Sequence, residues 1–519
     1  MRAEQGAEPV PTIRPRRAPL RASGSLAAAG DAFPERAMNR ATASSKIDGN
    51  AISLQFDGPA AFQSWIAAIE GAETFIHFEN YILRDDAVGR QFRDALVERS
   101  RAGVGVRVLY DWMGCWATPK SYWKPFRDAG VEVRVFNRPS LGDPLGILQR
   151  DHRKLVVVDG HTAFLGGFCI GEEWAGTETV APWRDTGVMV QGPAVAAAAL
   201  TFERIWEELG GPVPSQLRSD PARVPAAGTS AVWLIEGIPQ RSRVYRATQL
   251  IASVAERRLW ITDPYFLAPR PVAAALMAAA HDGVDVRVLV PARNNWPWMG
   301  SLSRGGYRPL LEAGVRIFEW QGAMIHAKTA VVDGRWCRIG SSNLNAASLL
   351  GNWELDLGVL DPQLAAQVEG LFLADLASSV EILLPGRRPG TRPVPMVAGE
   401  RLEPEPKPAV ERRDRGRRTM RGQALTLADL ARAGSAFGDA IAGHRVVGRE
   451  DRAALWTVAL ILLLLAGIAV LVPEVLGWGV GFAAGWVGLV LAVRTSIQAW
   501  RARRGASGGE TQPPSGSSG

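Results

Sequence analysis

The sequence predicts an α/β fold of two pseudo-symmetric halves, followed by a C-terminal two-helix transmembrane hairpin. Three observations lead there. From about residue 46 to 385, apolar β-type segments alternate with amphipathic helical patterns, as in domains built on a largely buried sheet. Within that stretch the chain repeats itself. Residues 453–493 are almost continuously apolar.

The alternating region carries short segments that recur in order. Ala102-Gly-Val-Gly-Val-Arg-Val-Leu109 matches Asp282-Gly-Val-Asp-Val-Arg-Val-Leu289, an offset of 282 − 102 = 180. Asp128-Ala-Gly-Val131 matches Glu312-Ala-Gly-Val315, and Phe78-Glu-Asn-Tyr-Ile-Leu83 corresponds to Thr262-Asp-Pro-Tyr-Phe-Leu267. Ordered matches at nearly constant spacing mark an internal duplication. The chain of 519 residues therefore divides into a disordered basic arm (1–45), a first half (46–220), a second half (221–385) and a Pro/Arg-rich linker (386–424). An amphipathic juxtamembrane segment (425–452), the hairpin (453–493) and a basic, then disordered, tail (494–519) follow.

Composition narrows the function little. The formal charge of +7 suits an anionic lipid or nucleic acid, but an Arg-favouring codon bias accounts for it equally well. Cys115, Cys169 and Cys337 are far apart and odd in number, so they form neither a disulfide framework nor a zinc-ligand spacing. No metal site and no cofactor is expected.

The duplication carries the chemistry. His152-Arg-Lys154-Leu-Val-Val-Val-Asp159 and His326-Ala-Lys328-Thr-Ala-Val-Val-Asp333 share the spacing His-x-Lys-x4-Asp, and both run into Asp-Gly, a hairpin signal. On a strand, residues two apart project from one face, so each His stands beside its Lys. A phosphodiester is a stable anion whose displacement needs a nucleophile, a proton for the leaving oxygen and positive charge on the other oxygens. One imidazole supplies the nucleophile and a second, opposite it, the proton; two lysines hold the phosphate. Each half thus contributes one His and one Lys to a single cleft. A lone strand His is usually structural; two of six, in equivalent repeat positions, are not explained that way. Asp159 and Asp333 complete the catalytic motif, although the first residue of Asp-Gly also has a turn to make.

The paired motifs, with Gly166-Gly167 after the first and Gly340-Ser-Ser-Asn343 after the second, resemble the phospholipase D superfamily. Trp183-Arg-Asp185-Thr-Gly-Val-Met-Val-Gln-Gly-Pro-Ala194 is similar to its cardiolipin synthase branch in particular. The resemblance covers about residues 50–385 and implies a duplicated phospholipase D-type α/β/α sandwich. It implies that His152 is the nucleophile, His326 the acid/base, and Lys154, Lys328 and Asn343 the phosphate-binding groups. It further implies a supporting carboxylate for each imidazole, Asp185 for the first half and Glu354 for the second. Cys169 stands where the family often has Asn, and Ala347-Ser348 where it usually has Arg-Ser.

Residues 453–472 and 475–493 are each free of charge and mainly apolar, with Pro473-Glu474 between them. About 20 helical residues span a bilayer core, so the pair reads as two spans joined by a tight turn. Arg445, Arg449 and Arg452 precede it, and Arg494, Arg501, Arg503 and Arg504 follow it. Positive charge at both ends places both ends, and the catalytic domain, in the cytoplasm beside the anionic inner leaflet of the cell membrane.

The leading expectation is a phosphatidyltransferase or phospholipase acting on glycerophospholipids through a phosphohistidine, with cardiolipin synthesis its sharpest version. A nuclease of the same superfamily and an inactive lipid-binding scaffold are the alternatives; the anchor favours lipid, and no nucleic acid partner is expected. The acceptor depends on loops such as 112–148 and 292–308, whose Trp112, Trp116, Trp123, Trp296 and Trp298 face either lipid or the core. Oligomeric state is not legible.

Overall fold

The computed structural model describes residues 33–138, 149–219, 224–239, 241 and 243–384. The expected linker, juxtamembrane segment, transmembrane hairpin and tail lie outside the described residues. Among the described residues no helix is long and apolar enough to cross a membrane.

The first half begins with α1 (Glu35–Thr42) and runs β1 (Ile47–Gln55), α2 (Gly58–Glu70), β2 (Phe75–Asn80), α3 (Ala87–Arg101), β3 (Gly105–Asp111), α4 (Lys124–Asp128) and β4 (Glu132–Phe136). It continues through β5 (Lys154–Val158), β6 (Thr162–Gly166), α5 (Glu172–Ala175), β7 (Gly187–Gln191) and α6 (Ala194–Glu208). The second half repeats the scheme with β8 (Ser230–Gly237), α7 (Arg243–Val254), β9 (Arg258–Thr262), α8 (Arg270–His281), β10 (Asp285–Pro291), α9 (Pro297–Gly305), α10 (Tyr307–Glu312) and β11 (Arg316–Trp320). Then come β12 (Thr329–Val332), β13 (Trp336–Gly340), β14 (Glu354–Leu360), α11 (Pro362–Ala377) and β15 (Ser379–Ile382).

Strand order in the first half is β1-β7-β6-β5-β2-β3-β4, and in the second β8-β14-β13-β12-β9-β10-β11-β15. The crossover strands β2, β3 and β4 are parallel, as are β9, β10 and β11. The motif strands β5 and β12 pair antiparallel with β2 and β9, each opening a meander. β1 and β8 pair antiparallel, so the two half-sheets join edge to edge. The α/β expectation therefore holds.

Three cores follow from this arrangement. Central strands of both halves, such as those carrying Leu155, Val157, Leu355 and Leu357, bury one face in a shared core with α6 and α11. The opposite faces carry separate outer cores under α2 and α3 in the first half and α7 and α8 in the second. Strands buried on both faces have to be continuously apolar, which is why Leu155-Val-Val-Val158 and Thr329-Ala-Val-Val332 show no alternation.

Of the arm expected to be disordered through residue 45, residues 33–45 are among the described residues and carry a helix. Glu35–Thr42 is helical, with Met38 fully buried in the outer core of the second half and Trp233 Nε1 donating to Asn39 at 2.6 Å. The Pro/Ala-rich composition upstream concealed an eight-residue helix that buries Met38 and Thr42.

Candidate active site

Two short backbone stitches place the histidines. The His152 N–H donates to the Trp353 carbonyl at 2.9 Å, and the His326 N–H donates to the Arg184 carbonyl at 2.7 Å. Each motif is thus held by main chain of the other half. Trp353 immediately precedes β14 and Arg184 lies just before β7, so the residues that follow them are aimed at the opposite histidine.

The side chains obey that crossing. Nδ1 of His152 lies 3.0 Å from Oε2 of Glu354, and Nδ1 of His326 lies 2.6 Å from Oδ2 of Asp185. Assigning Asp185 to the first half's imidazole and Glu354 to the second's is therefore corrected: each carboxylate serves the histidine of the other repeat. Repeat order in the sequence says which strand carries a residue, whereas the edge-to-edge packing of the halves decides which histidine it reaches.

Each carboxylate is itself fixed. Glu354 accepts from Ser341 Oγ at 2.5 Å and from Ser348 Oγ at 2.5 Å. Asp185 accepts from the Trp174 indole at 2.9 Å and the Thr186 N–H at 2.7 Å. A Cβ at Gly167 would lie 2.0 Å from Oδ1 of Asp185, so the second glycine of Gly166-Gly167 makes room for the carboxylate. A buried carboxylate held on both oxygens locks the imidazole's tautomer and leaves Nε2 as the reactive nitrogen.

The lysines close the site. Lys154 Nζ donates to the carbonyl of His152, and Lys328 Nζ donates to that of His326 and lies 3.0 Å from both nitrogens of the His326 ring. Their charges act across the pseudo-two-fold: Lys328 disfavours the imidazolium of His152, and Lys154 that of His326. Burial pushes both imidazoles below their ordinary pKa, with the lysines adding to the effect and Glu354 and Asp185 opposing it. Burial, with Lys154 nearby, lowers Lys328 to about 8. Burial by itself would raise Asp185, but His326 and Lys328 hold it down near 2. Glu354 is likewise lowered, burial being outweighed by His152, Lys154 and Ser341. The two histidines, two lysines and two carboxylates form one electrostatic unit assembled from both halves.

Asn343 is buried beside this group, its N–H donating to Ser348 Oγ at 2.9 Å while its side-chain Oδ1 has no partner among the described residues. A buried amide without a full set of hydrogen bonds suits a group reserved for a ligand. The two departures from the resemblance fall beside the site. Cys169 is buried, and its thiol is raised by that burial against the opposing lysines. Ser348, after Ala347, holds Glu354.

Asp159 and Asp333 are elsewhere. They end the motif strands, five residues beyond Lys154 and Lys328 (159 − 154 = 5; 333 − 328 = 5), roughly 16 Å along an extended chain. Asp159 adopts φ 51° and accepts from the N–H groups of Glu73, Thr74 and Phe75 at 2.7–2.8 Å. Asp333 adopts φ 52° and accepts from Glu256, Arg257 and Arg258 at 2.8–2.9 Å. The expectation that they complete the catalytic motif is corrected. Each pins the hairpin turn to the start of the neighbouring antiparallel strand, β2 or β9, and the short Asx side chain tolerates the left-handed backbone.

Several neighbours of the histidines escaped the sequence reading. The Tyr81 ring packs edge-on to His152 at 4.8 Å with Lys154 Nζ 5.0 Å from its centroid, and Tyr265 packs edge-on to His326 at 6.0 Å. Trp174 and Trp183 flank His326 at 5.5 and 5.7 Å. The repeat alignment of 78–83 with 262–267 already paired the two tyrosines. Arg153, between His152 and Lys154, is fully buried. It donates to Glu79 at 2.5 Å and to the Thr201 carbonyl at 3.2 Å, and lies 3.6 Å from Glu236 of the second half. The equivalent residue of the second motif is Ala327, so the second motif has no counterpart of this arginine.

A family model described as cardiolipin synthase, PLD-like domain, matches residues 65–206 and 248–376, a segment in each half. The chain belongs to that family. Cardiolipin synthase A of Pseudomonas entomophila is 36% identical over 340 residues, covering 65% of this chain and 70% of that protein. A cardiolipin synthase of Geobacillus kaustophilus is 36% identical over 309 residues, covering 58% of this chain and 61% of its own length. Among solved structures, the phosphatidylserine synthase of Haemophilus influenzae superposes with a TM-score of 0.53 at 16% identity, covering 67% of this chain and 91% of that one, which shows a shared fold. The segments matched by the cardiolipin synthase-like family model include His152, Lys154, Asp185, His326, Lys328 and Glu354.

Proposed function

We propose that this cardiolipin synthase-like phosphatidyltransferase moves a phosphatidyl group between alcohols through a phosphohistidine at His152. The observation that carries the reading is the crossed pair of imidazole–carboxylate contacts, His152–Glu354 and His326–Asp185, each with a lysine beside it. With Nδ1 engaged, Nε2 of His152 attacks the phosphorus of phosphatidylglycerol, and the bond to the glycerol headgroup breaks. His326 donates a proton to the departing glycerol oxygen. It then takes a proton from the hydroxyl of a second phosphatidylglycerol, whose oxygen attacks the phosphohistidine, frees His152 and forms diphosphatidylglycerol.

The charges suit that sequence. Lys154, Lys328 and Asn343 face the non-bridging oxygens, where the fixed positive charge stabilises the transition state. In the free enzyme burial and the lysines keep both imidazoles neutral, which is the form His152 needs for attack. His326 has to carry a proton for the first step. The incoming phosphate anion offsets the lysines, and Asp185 at 2.6 Å then favours imidazolium.

The same reading extends to the membrane: residues 453–493 form two spans with both ends cytoplasmic, holding the cleft next to the inner leaflet. What supports it is the length and apolarity of the two segments and the arginines on both sides.

The deciding experiment is incubation of the purified chain with phosphatidylglycerol and separation of products by mass. Diphosphatidylglycerol with free glycerol is expected. Phosphatidic acid alone makes the protein a hydrolase, and no lipid product with cleavage of DNA makes it a nuclease.

A further inference from the structure

Four large apolar side chains stand exposed in loops connected to the active site. Trp116 is 71% exposed, Val180 59%, Trp296 55% and Leu267 38%. Each is tied to a residue that touches a catalytic histidine. Trp116 follows Cys115, whose thiol points to the backbone of Tyr81, the ring packed on His152. Leu267 is two residues beyond Tyr265, and Trp296 adjoins Asn295, which accepts from the Tyr265 hydroxyl at 2.8 Å. Val180 belongs to the loop that delivers Trp183 to His326.

The two tryptophans are equivalent in the repeat. Strands β3 and β10 end at Asp111 and Pro291, and an exposed tryptophan follows each by the same interval (116 − 111 = 5; 296 − 291 = 5). One cleft formed on a pseudo-two-fold is therefore flanked by an indole from each half. Other aromatics of the first loop do not share this exposure: Trp123 is buried, stacked on Tyr110 at 3.9 Å. Exposed Lys120 and Arg293 lie on the same loops as the two indoles, with Glu178 the nearby acid on the Val180 loop.

We propose that Trp116 and Trp296, with Val180 and Leu267, form a rim that seats the mouth of the active site in the interfacial layer of an anionic phospholipid bilayer. Indoles are favoured at that depth because they combine a large apolar surface with one polar N–H. The cations beside them match an anionic headgroup layer. Seating the rim lets a lipid headgroup pass from bilayer to cleft without exposing its acyl chains. The proposal deepens the phosphatidyltransfer reading and rests on it for the identity of the substrate.

The test uses the full chain reconstituted in phosphatidylglycerol vesicles, comparing wild type with the double variant W116A/W296A and with W116F/W296F. Every variant keeps the C-terminal apolar segment, so attachment to vesicles is not the readout. Turnover of vesicle phosphatidylglycerol is expected to fall roughly tenfold or more in the alanine variant, the scale of losing two large apolar anchors. Turnover of short-chain phosphatidylglycerol dispersed as monomer stays unchanged, and the phenylalanine variant recovers most of the vesicle activity. Quenching of the protein's fluorescence by brominated acyl chains is read as the difference between wild type and the alanine variant, since the chain has 18 tryptophans. Equal loss on vesicles and monomers, or no difference in quenching, overturns the proposal. So does self-association of the wild type that the alanine variant loses, because the rim then covers a second copy. Should the wild type convert neither substrate, the phosphatidyltransfer reading fails, while the quenching difference still decides whether the rim enters the bilayer.

Discussion

The carboxylate of Glu354 sits 3.0 Å from Nδ1 of His152, although 202 residues separate the two and each lies in a different repeat. Asp185 reaches His326 across the same boundary. Neither half therefore contains a finished imidazole–carboxylate pair, and the site exists only where the halves meet.

This crossing separates two variants that look alike in the sequence. Glu354→Gln weakens the partner of the proposed nucleophile and should slow formation of the phosphohistidine. Asp185→Asn weakens the partner of the proposed acid/base, and should slow both the departure of glycerol and the later attack of the acceptor. Both lower turnover, by about 10²–10⁴-fold. Mass spectrometry after a brief exposure to phosphatidyl-p-nitrophenol, whose leaving group needs no proton, should find phosphatidylated His152 accumulating in Asp185→Asn and scarce in Glu354→Gln; the reverse result, with the adduct on His326, would mean that His326 is the nucleophile.

The alkaline limb of activity should report Lys328. Burial and Lys154 lower its pKa to about 8, so the ammonium proposed to hold phosphate is present below that value and lost above it. kcat/KM, which reflects the free enzyme, should fall as pH rises through about 8. Lys328→Arg keeps the charge at all accessible pH. It should remove that limb from the profile while lowering the plateau, because an arginine fork does not reproduce the ammonium's reach to the His326 carbonyl.

Asp159→Asn should cost stability and leave chemistry intact. The carboxylate accepts three backbone N–H groups and the Thr74 hydroxyl, and losing the charge-assisted part of that cluster is worth about 1–3 kcal/mol. Those hydrogen bonds hold the folded-state pKa below the ordinary carboxylate value. The stabilisation is therefore complete above the unfolded pKa and disappears as pH falls through the folded one. Denaturant midpoints should show the variant weaker at pH 7, with the gap to wild type closing in acid, while kcat below the transition is unchanged.

Arg153→Met removes a fully buried cation that pairs with Glu79 and Asp151 and contacts Glu236 across the halves. Stranding those carboxylates should destabilise the fold by about 3–5 kcal/mol. Thermal unfolding should show a large fall in midpoint, well beyond that of a surface arginine such as Arg308→Met.

The amino-acid sequence alone determined the fold class, the duplication and the His/Lys pairs, because these are written in short local patterns. A strand buried on both faces has to be continuously apolar, a hairpin needs its Asp-Gly, and two copies of one motif declare themselves by spacing. What only tertiary structure decided was partnership: that Asp185 belongs to His326 and Glu354 to His152, that Asp159 and Asp333 clamp turns away from the histidines, and that Trp116 is exposed while Trp123 is buried. α1 was missed for a related reason, since its stability comes from Met38 entering a core formed nearly 200 residues later. Partnership depends on how two half-sheets meet along β1 and β8, and no interval counted along one chain encodes that encounter.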